Sequence, residues 1–223
     1  MNSISTGEHH LILPTNDAQL PALLTLPPAP SALVLFVHGS GSSRFSQRNR
    51  TVAEVLLEAG LGTLLFDLLS PEEEQRDRLD QALRFDIPLL SQRLIGVIDC
   101  LTQRQDLAAL PLGLFGASTG AAAAIHAAVA RPELVAAVVC RGGRADLAIE
   151  LVGAVSCPTL LIVGGLDVDV LRLNRLVAAR LRAPHALLVV PGASHLFEEP
   201  GTLRQAATLA RDWFLHHLSP AGD

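Results

Sequence analysis

The 223-residue chain carries 17 basic and 22 acidic residues for a net charge of -5, and all of its basic residues are arginines. The absence of lysine excludes a phosphate-loop lysine, a Schiff-base lysine and a lysine general base. The arginines are interleaved with acids instead of forming a basic face, which excludes a nucleic-acid footprint.

The length fits one domain over residues 1–223 with a sizeable core. Cys100, Cys140 and Cys157 are odd in number and lack CxxC spacing, so neither a disulfide framework nor a metal site is expected. A mean hydropathy of +0.37 raises the question of a membrane span. The best candidate, the charge-free stretch Leu107 to Ala130, is broken by Pro111, Gly113, Gly116 and Gly120 and reads as strand, turn and helix. MNSISTGEHHLILP has no basic start, long apolar run or cleavage site, so a cytoplasmic location is expected.

In chain order, strands are predicted at His10–Leu13, Leu20–Leu26, Ala32–His38, Gly62–Asp67, Leu112–Phe115, Val135–Cys140, Thr159–Gly164 and Ala186–Val190. Helices are predicted at Gln47–Ala59, Phe85–Gln103, Thr119–Ala130, Ala145–Val152, Val170–Leu181 and Thr202–His217. Apolar strands alternating with amphipathic segments imply a mostly parallel sheet of about eight strands with helices on both faces. The short TNDAQ link makes the first two strands an antiparallel hairpin. PEEEQRDRLDQ, charged with both signs, reads as a solvated loop or short helix.

The strongest chemical signal is GASTG, a G-x-S-x-G pentapeptide between a predicted strand and a predicted helix. Such a turn is strained and needs small flanking residues, so that the serine hydroxyl projects above the sheet. Ser118 is thus the candidate nucleophile. In this architecture the acid and the histidine follow the serine in chain order. Asp167 lies just beyond the apolar run TLLIVGG, and His195 lies in the loop after ALLVV. Loops at the C-terminal edge of a parallel sheet converge, which lets these three residues meet. Asp169 is the rival acid, with helix capping as its structural role.

The loop HGSGSSRFSQRNR after the third strand suits a phosphate, a dinucleotide or an oxyanion, because a Gly/Ser turn exposes backbone N–H groups. Gly39 and Gly41 with a later Asp67 imitate a dinucleotide fingerprint, but Arg44 replaces the third glycine.

Together, HGSGSS, GASTG, VGGLD and GASHLFEEPG resemble the dienelactone-hydrolase-like group of the α/β-hydrolases, in the right order and over nearly the whole chain. The resemblance implies an α/β-hydrolase fold and an oxyanion hole built from the N–H groups of Ser40 and Thr119, with His38 bracing the loop. The chain departs from dienelactone hydrolase proper in having Ser118 where that enzyme has cysteine, which points to a serine esterase. Some relatives with this signature are fused to a phosphoribosyltransferase domain, for which these residues carry no sequence.

The segment RGGRADLAIELVGAVSCP leaves room for one helix and no lid, which suits small or varied esters. Arg44, Arg141 and Arg144 are expected on the catalytic edge, facing either a substrate carboxylate or local acids such as Asp67 and Asp86. The expected activity is hydrolysis of a small-molecule ester through an acyl-serine, with no cofactor. Acyl transfer, thioester or lactone hydrolysis on the same triad, and a non-catalytic ligand-binding role, are the alternatives.

Overall fold

Runs such as LVLFV and GTLLF, buried at every position, belong in the middle of a sheet covered on both faces. In the computed structural model, which describes residues 5–218, eight strands form one sheet. They are β1 (Gly7–Pro14), β2 (Gln19–Leu26), β3 (Leu33–Val37), β4 (Gly62–Phe66), β5 (Leu112–Ala117), β6 (Val135–Arg141), β7 (Thr159–Gly164) and β8 (His185–Val190). Their spatial order is β1-β2-β4-β3-β5-β6-β7-β8. β1 pairs antiparallel with β2, and β2 antiparallel with β4; every later pairing is parallel.

Six α-helices cover the sheet: α1 (Gln47–Glu58), α2 (Pro71–Asp80), α3 (Ile87–Thr102), α4 (Gly120–Ala130), α5 (Val168–Ala178) and α6 (Thr202–Leu218). The period-2 geometry of a strand sends alternate residues of β3 to opposite faces. Leu33, Leu35 and Val37 join the core under α3 and α4, whereas Val34 and Phe36 join the core under α1 and α6. The alanines 121 to 124 of α4 are fully buried, so their small side chains let that helix ride close to the sheet.

The helix expected at Ala145–Val152 is instead two 3-10 turns, Ala145–Ala148 and Val152–Ala154. The segment is tethered at its start, where the Arg144 N–H donates to the Ser118 carbonyl and the Arg144 guanidinium grips Asp146 at 2.9 Å. Gly153 then interrupts its end. The helix expected from Phe85 begins at Ile87, because Asp86 caps it by accepting the Leu89 N–H, and a 3-10 turn precedes it at Leu83–Phe85. The charged stretch after Ser70 is α2, opened by a capping box between Ser70 and Glu73. Arg93, almost fully buried on α3, fastens α2 in place through two hydrogen bonds to Glu73 and an ion pair with Asp17 at 3.0 Å.

His38 locks the ends of β3 and β4 together. Its Nε2 accepts the Leu68 N–H at 3.1 Å, which places the proton on Nδ1, where it is donated to the Gly39 carbonyl at 2.9 Å. Burial holds this imidazole below its ordinary value, against the opposing pull of the Gly39 carbonyl and of the Asp67 and Glu74 charges. The folded state therefore resists a proton that the unfolded chain accepts, so stability is full above the unfolded value of about 6.5 and is lost as pH falls below it. Urea unfolding between about pH 7.5 and about pH 5.5 is expected to show this loss. His126 and His217 are also held down by burial and share the slope, so His38→Gln should flatten it without abolishing it. A variant with the wild-type slope would dismiss the His38 contribution. On the other face, Phe214 is fully buried on α6, and Phe214→Ala is expected to cost about 3–5 kcal/mol in the same measurement.

Candidate active site

β5 ends at Ala117, and the chain turns through Ser118 at φ 49° into α4. Such a left-handed backbone at a non-glycine residue costs of order 1–3 kcal/mol and persists only where the surroundings over-determine it. Here they do: a Cβ on Gly116 would lie 2.6 Å from Ala121 Cα, and one on Gly120 would lie 2.1 Å from the Val37 carbonyl oxygen. The two glycines of G-x-S-x-G are thus required by close backbone approach. The Ser118 N–H donates to the Arg141 carbonyl at 3.2 Å, and the Ser118 carbonyl accepts the Arg144 N–H at 2.9 Å.

Asp167 follows β7 at the N-cap of α5, yet its side chain makes no capping bond. Its Oδ2 instead receives His195 Nδ1 at 2.6 Å, and His195 Nε2 stands 3.2 Å from Ser118 Oγ. Three residues from the ends of β5, β7 and β8 therefore form one hydrogen-bonded chain. Asp169 is exposed in the first turn of α5, without a bond to the histidine.

The loop bearing His195 is held by residues that the sequence reading did not single out. Glu199 accepts the Ser194 N–H at 2.9 Å, a bond that keeps its carboxyl below the usual range, and its carbonyl accepts the Thr202 hydroxyl. Phe197 plugs its ring into the core at φ 56°. Both lie within GASHLFEEPG, where an acid five residues after Ser194 was the available signal.

On the opposite side stands the loop after β3. The Ser40 N–H, expected to be free for an oxyanion, donates to Thr119 Oγ1 at 2.8 Å. Asp67 accepts the Arg44 N–H at 2.7 Å and pairs with the Arg44 guanidinium, which removes the acid from the dinucleotide reading.

The three arginines expected on this edge separate. Arg44 is paired with Asp67 and Arg144 with Asp146, whereas Arg141 is buried with no hydrogen-bond partner for Nε or Nη1. Burial, and secondarily the neighbouring Arg48 charge, lowers the Arg141 guanidinium to about 10, so it stays charged at neutral pH. The Phe197 ring lies 5.6 Å from the guanidinium and offers it a cation–π contact. Arg141 lines a cleft of about 240 Å³ together with Ser118, His195, Ser40 and two residues missed from sequence, Arg48 and Asn49. Gly39, Ser40 and Ser42 also wall a second cavity of about 190 Å³, where Leu68, Leu69 and Leu90 meet Asp77 and Arg84, themselves joined at 2.6 Å.

No rival nucleophile is apparent among the cysteines. Burial pushes the Cys140 thiol up to about 12 and that of Cys157 up to about 11, and it also raises that of Cys100. Among the described residues no cluster of three or more His, Cys, Asp or Glu side chains is placed to hold a metal ion. None of their helices is long and apolar enough to cross a membrane.

No protein-family profile matches the chain. A dienelactone hydrolase from Anabaena variabilis is 51% identical and superimposes with a TM-score of 0.93, the match covering 95% of this chain and 98% of that one. The esterase domain of a Rhodothermus marinus protein shares the fold with a TM-score of 0.75 at 18% identity, over 96% of this chain and all of that one. A proposed phosphoribosyl transferase of Mycobacterium tuberculosis, from two strains, is 57% identical over 199 residues. That match takes in 89% of this chain but 44% of the mycobacterial protein, so the chain spans less than half the length of the curated relatives it matches. With the elbow, the strand order and a full-length relative at this identity in agreement, the chain belongs to the dienelactone hydrolase family of the α/β-hydrolases.

Proposed function

We propose that this chain hydrolyses carboxylic esters through a covalent acyl-serine. The observation that carries the reading is the continuous path from Ser118 Oγ through both nitrogens of His195 to Asp167. Ser118 Oγ attacks the ester carbonyl as its proton passes to His195 Nε2, and the tetrahedral intermediate expels the alcohol, which takes that proton. Water, deprotonated by the same nitrogen, then attacks the acyl carbon and frees Ser118. Asp167 fixes the imidazole tautomer and stabilises its charged form. A thioester or lactone fits the same steps, and an alcohol in place of water makes the reaction an acyl transfer. The transferase name of the mycobacterial relatives belongs to proteins more than twice as long as the matched stretch and adds nothing to this reading. Three unpaired cysteines suit the reducing cytoplasm, and the chain is read as one catalytic domain acting on a small-molecule ester.

The substrate is further read as bearing an anion. The Arg141 guanidinium lines the cleft, is buried and pairs with no acid among the described residues, so a carboxylate on the substrate supplies the charge partner that it lacks. Arg44 and Arg144 are engaged with their own acids and are not assigned to the substrate.

Ser118→Ala is expected to lower hydrolysis of p-nitrophenyl acetate and butyrate by at least about 10⁴-fold and to abolish the single mass adduct left by a fluorophosphonate. A wild type giving neither turnover nor adduct would leave a ligand-binding role for the fold. Arg141→Met is expected to lower kcat/KM for p-nitrophenyl hemisuccinate by about 10–100-fold, while the neutral butyrate changes by less than about 3-fold. Equal losses on the two esters would dismiss the anion reading.

A further inference from the structure

We propose that Thr119 stabilises the oxyanion with its side chain as well as its backbone, its hydroxyl relaying the Ser40 N–H to the reacting oxygen. The proposal rests on the acyl-serine reading above. The Ser40 N–H does not face an empty hole: it donates to Thr119 Oγ1 at 2.8 Å, across a sequence separation of 79. Loop and elbow are in close contact here, because a Cβ on Gly39 would lie 3.0 Å from Ser118 Cβ and 3.7 Å from Ser118 Oγ. Thr119 is buried, and its hydroxyl makes no capping bond to α4. With Oγ1 accepting from Ser40, the hydroxyl proton has no acceptor among the hydrogen bonds of the described residues.

A hydroxyl that accepts from an N–H is polarised into a better donor. The N–H and O–H of one threonine can close on a single oxygen, and the relay places the oxygen next to Ser118 Oγ in the tetrahedral intermediate between them. The hydroxyl donates a hydrogen bond to that oxygen and keeps its own proton. The competing arrangement has the Ser40 N–H release Thr119 and turn to the oxyanion itself. That breaks a buried hydrogen bond during the reaction, whereas the relay needs only the rotation of a hydroxyl, and preorganised donors are those that stabilise the transition state most.

The test joins kinetics to a structure of the 223-residue chain with a trifluoromethyl ketone. Ser118 Oγ adds to this ketone, its proton moving to His195 and the carbonyl oxygen becoming the hemiketal oxyanion. The relay expects that oxygen within about 2.7–3.1 Å of both N and Oγ1 of Thr119, with the Ser40 N–H still on Oγ1. It also expects Thr119→Val to lower kcat for p-nitrophenyl acetate by about 10–100-fold with KM within about 2-fold, and Thr119→Ser to stay within about 3-fold of wild type. An oxyanion bonded directly to the Ser40 N–H, or a Val variant with wild-type kcat, overturns the relay. Should the Val variant fail to fold, the hemiketal structure of the wild type decides alone. If no hemiketal forms on Ser118, the acyl-serine reading itself has failed and the relay falls with it; an adduct with its oxygen on Ser40 marks failure of the relay only.

Discussion

The molecule is built around one steric constraint, the approach of the start of α4 to the end of β3. Gly120 presses on the carbonyls of Val37 and His38 so closely that no side chain fits between them. That approach fixes three things together. It holds Ser118 in a left-handed turn with its hydroxyl above the sheet, and it brings Thr119 under the loop after β3. It also sets the start of α4, lined by the fully buried alanines 121 to 124, close to the sheet. The parallel pairing of β3 with β5 in register, Val37 opposite Gly116, delivers the two chain segments to that meeting point. Strain at the serine is therefore sustained by the packing of the whole α4 layer, which explains how a costly backbone conformation survives in a marginally stable fold.

Charge is sorted by the loop that stands between the two cavities. On the side of Leu68 and Leu90 the nearby charges are matched, with Arg84 on Asp77 and Arg78 on Glu74 at 3.0 Å. On the side of Ser118 two arginines line the cleft, and among the described residues the acid paired with either is Glu198, 3.8 Å from Arg48 and largely exposed. Exposed pairs at that distance contribute little, so Arg48 and Arg141 bring two positive charges to the cleft beside Ser118 although the chain carries a net charge of -5.

The parts of this arrangement that depend on period and chain order were legible in the sequence. Strand spacing, the glycine-bounded serine and the order serine, acid, histidine placed Ser118, Asp167 and His195 after strands that end on one edge of the sheet, because a parallel sheet leaves its C-terminal loops little choice of where to go. What could not be read was the partner of each polar group. Arg44, Arg141 and Arg144 look alike in sequence, and only the fold separates them: Arg44 reaches back to the end of β4, and Arg144 turns onto Asp146. Arg141, the last residue of β6 and opposite Ala117, forms no ion pair among the described residues. The Ala145–Val152 segment carries an amphipathic helical pattern, but its tether to the elbow overrides that local preference. Thr119 was expected to act through its backbone alone, because nothing in GASTG reveals that its hydroxyl meets a loop closed by tertiary packing.

The unpaired Arg141 and the left-handed Phe197 are best understood as one unit. A buried cation without a carboxylate costs the fold stability, and a phenylalanine at φ 56° adds backbone strain of its own. The Phe197 ring lies 5.6 Å from the guanidinium and offers it a π-face, a partial compensation worth on the order of 1 kcal/mol. Phe197 in turn follows His195 by two residues, and its N–H is bound to the Ser194 carbonyl, so the side chain that attends the cation also anchors the histidine loop. Glu199 closes the same loop from the other end by accepting the Ser194 N–H. Under the anionic-substrate proposal, a carboxylate at Arg141 meets the cation beside the same ring that anchors the histidine loop, so the site proposed for recognition and the loop that carries His195 share one support.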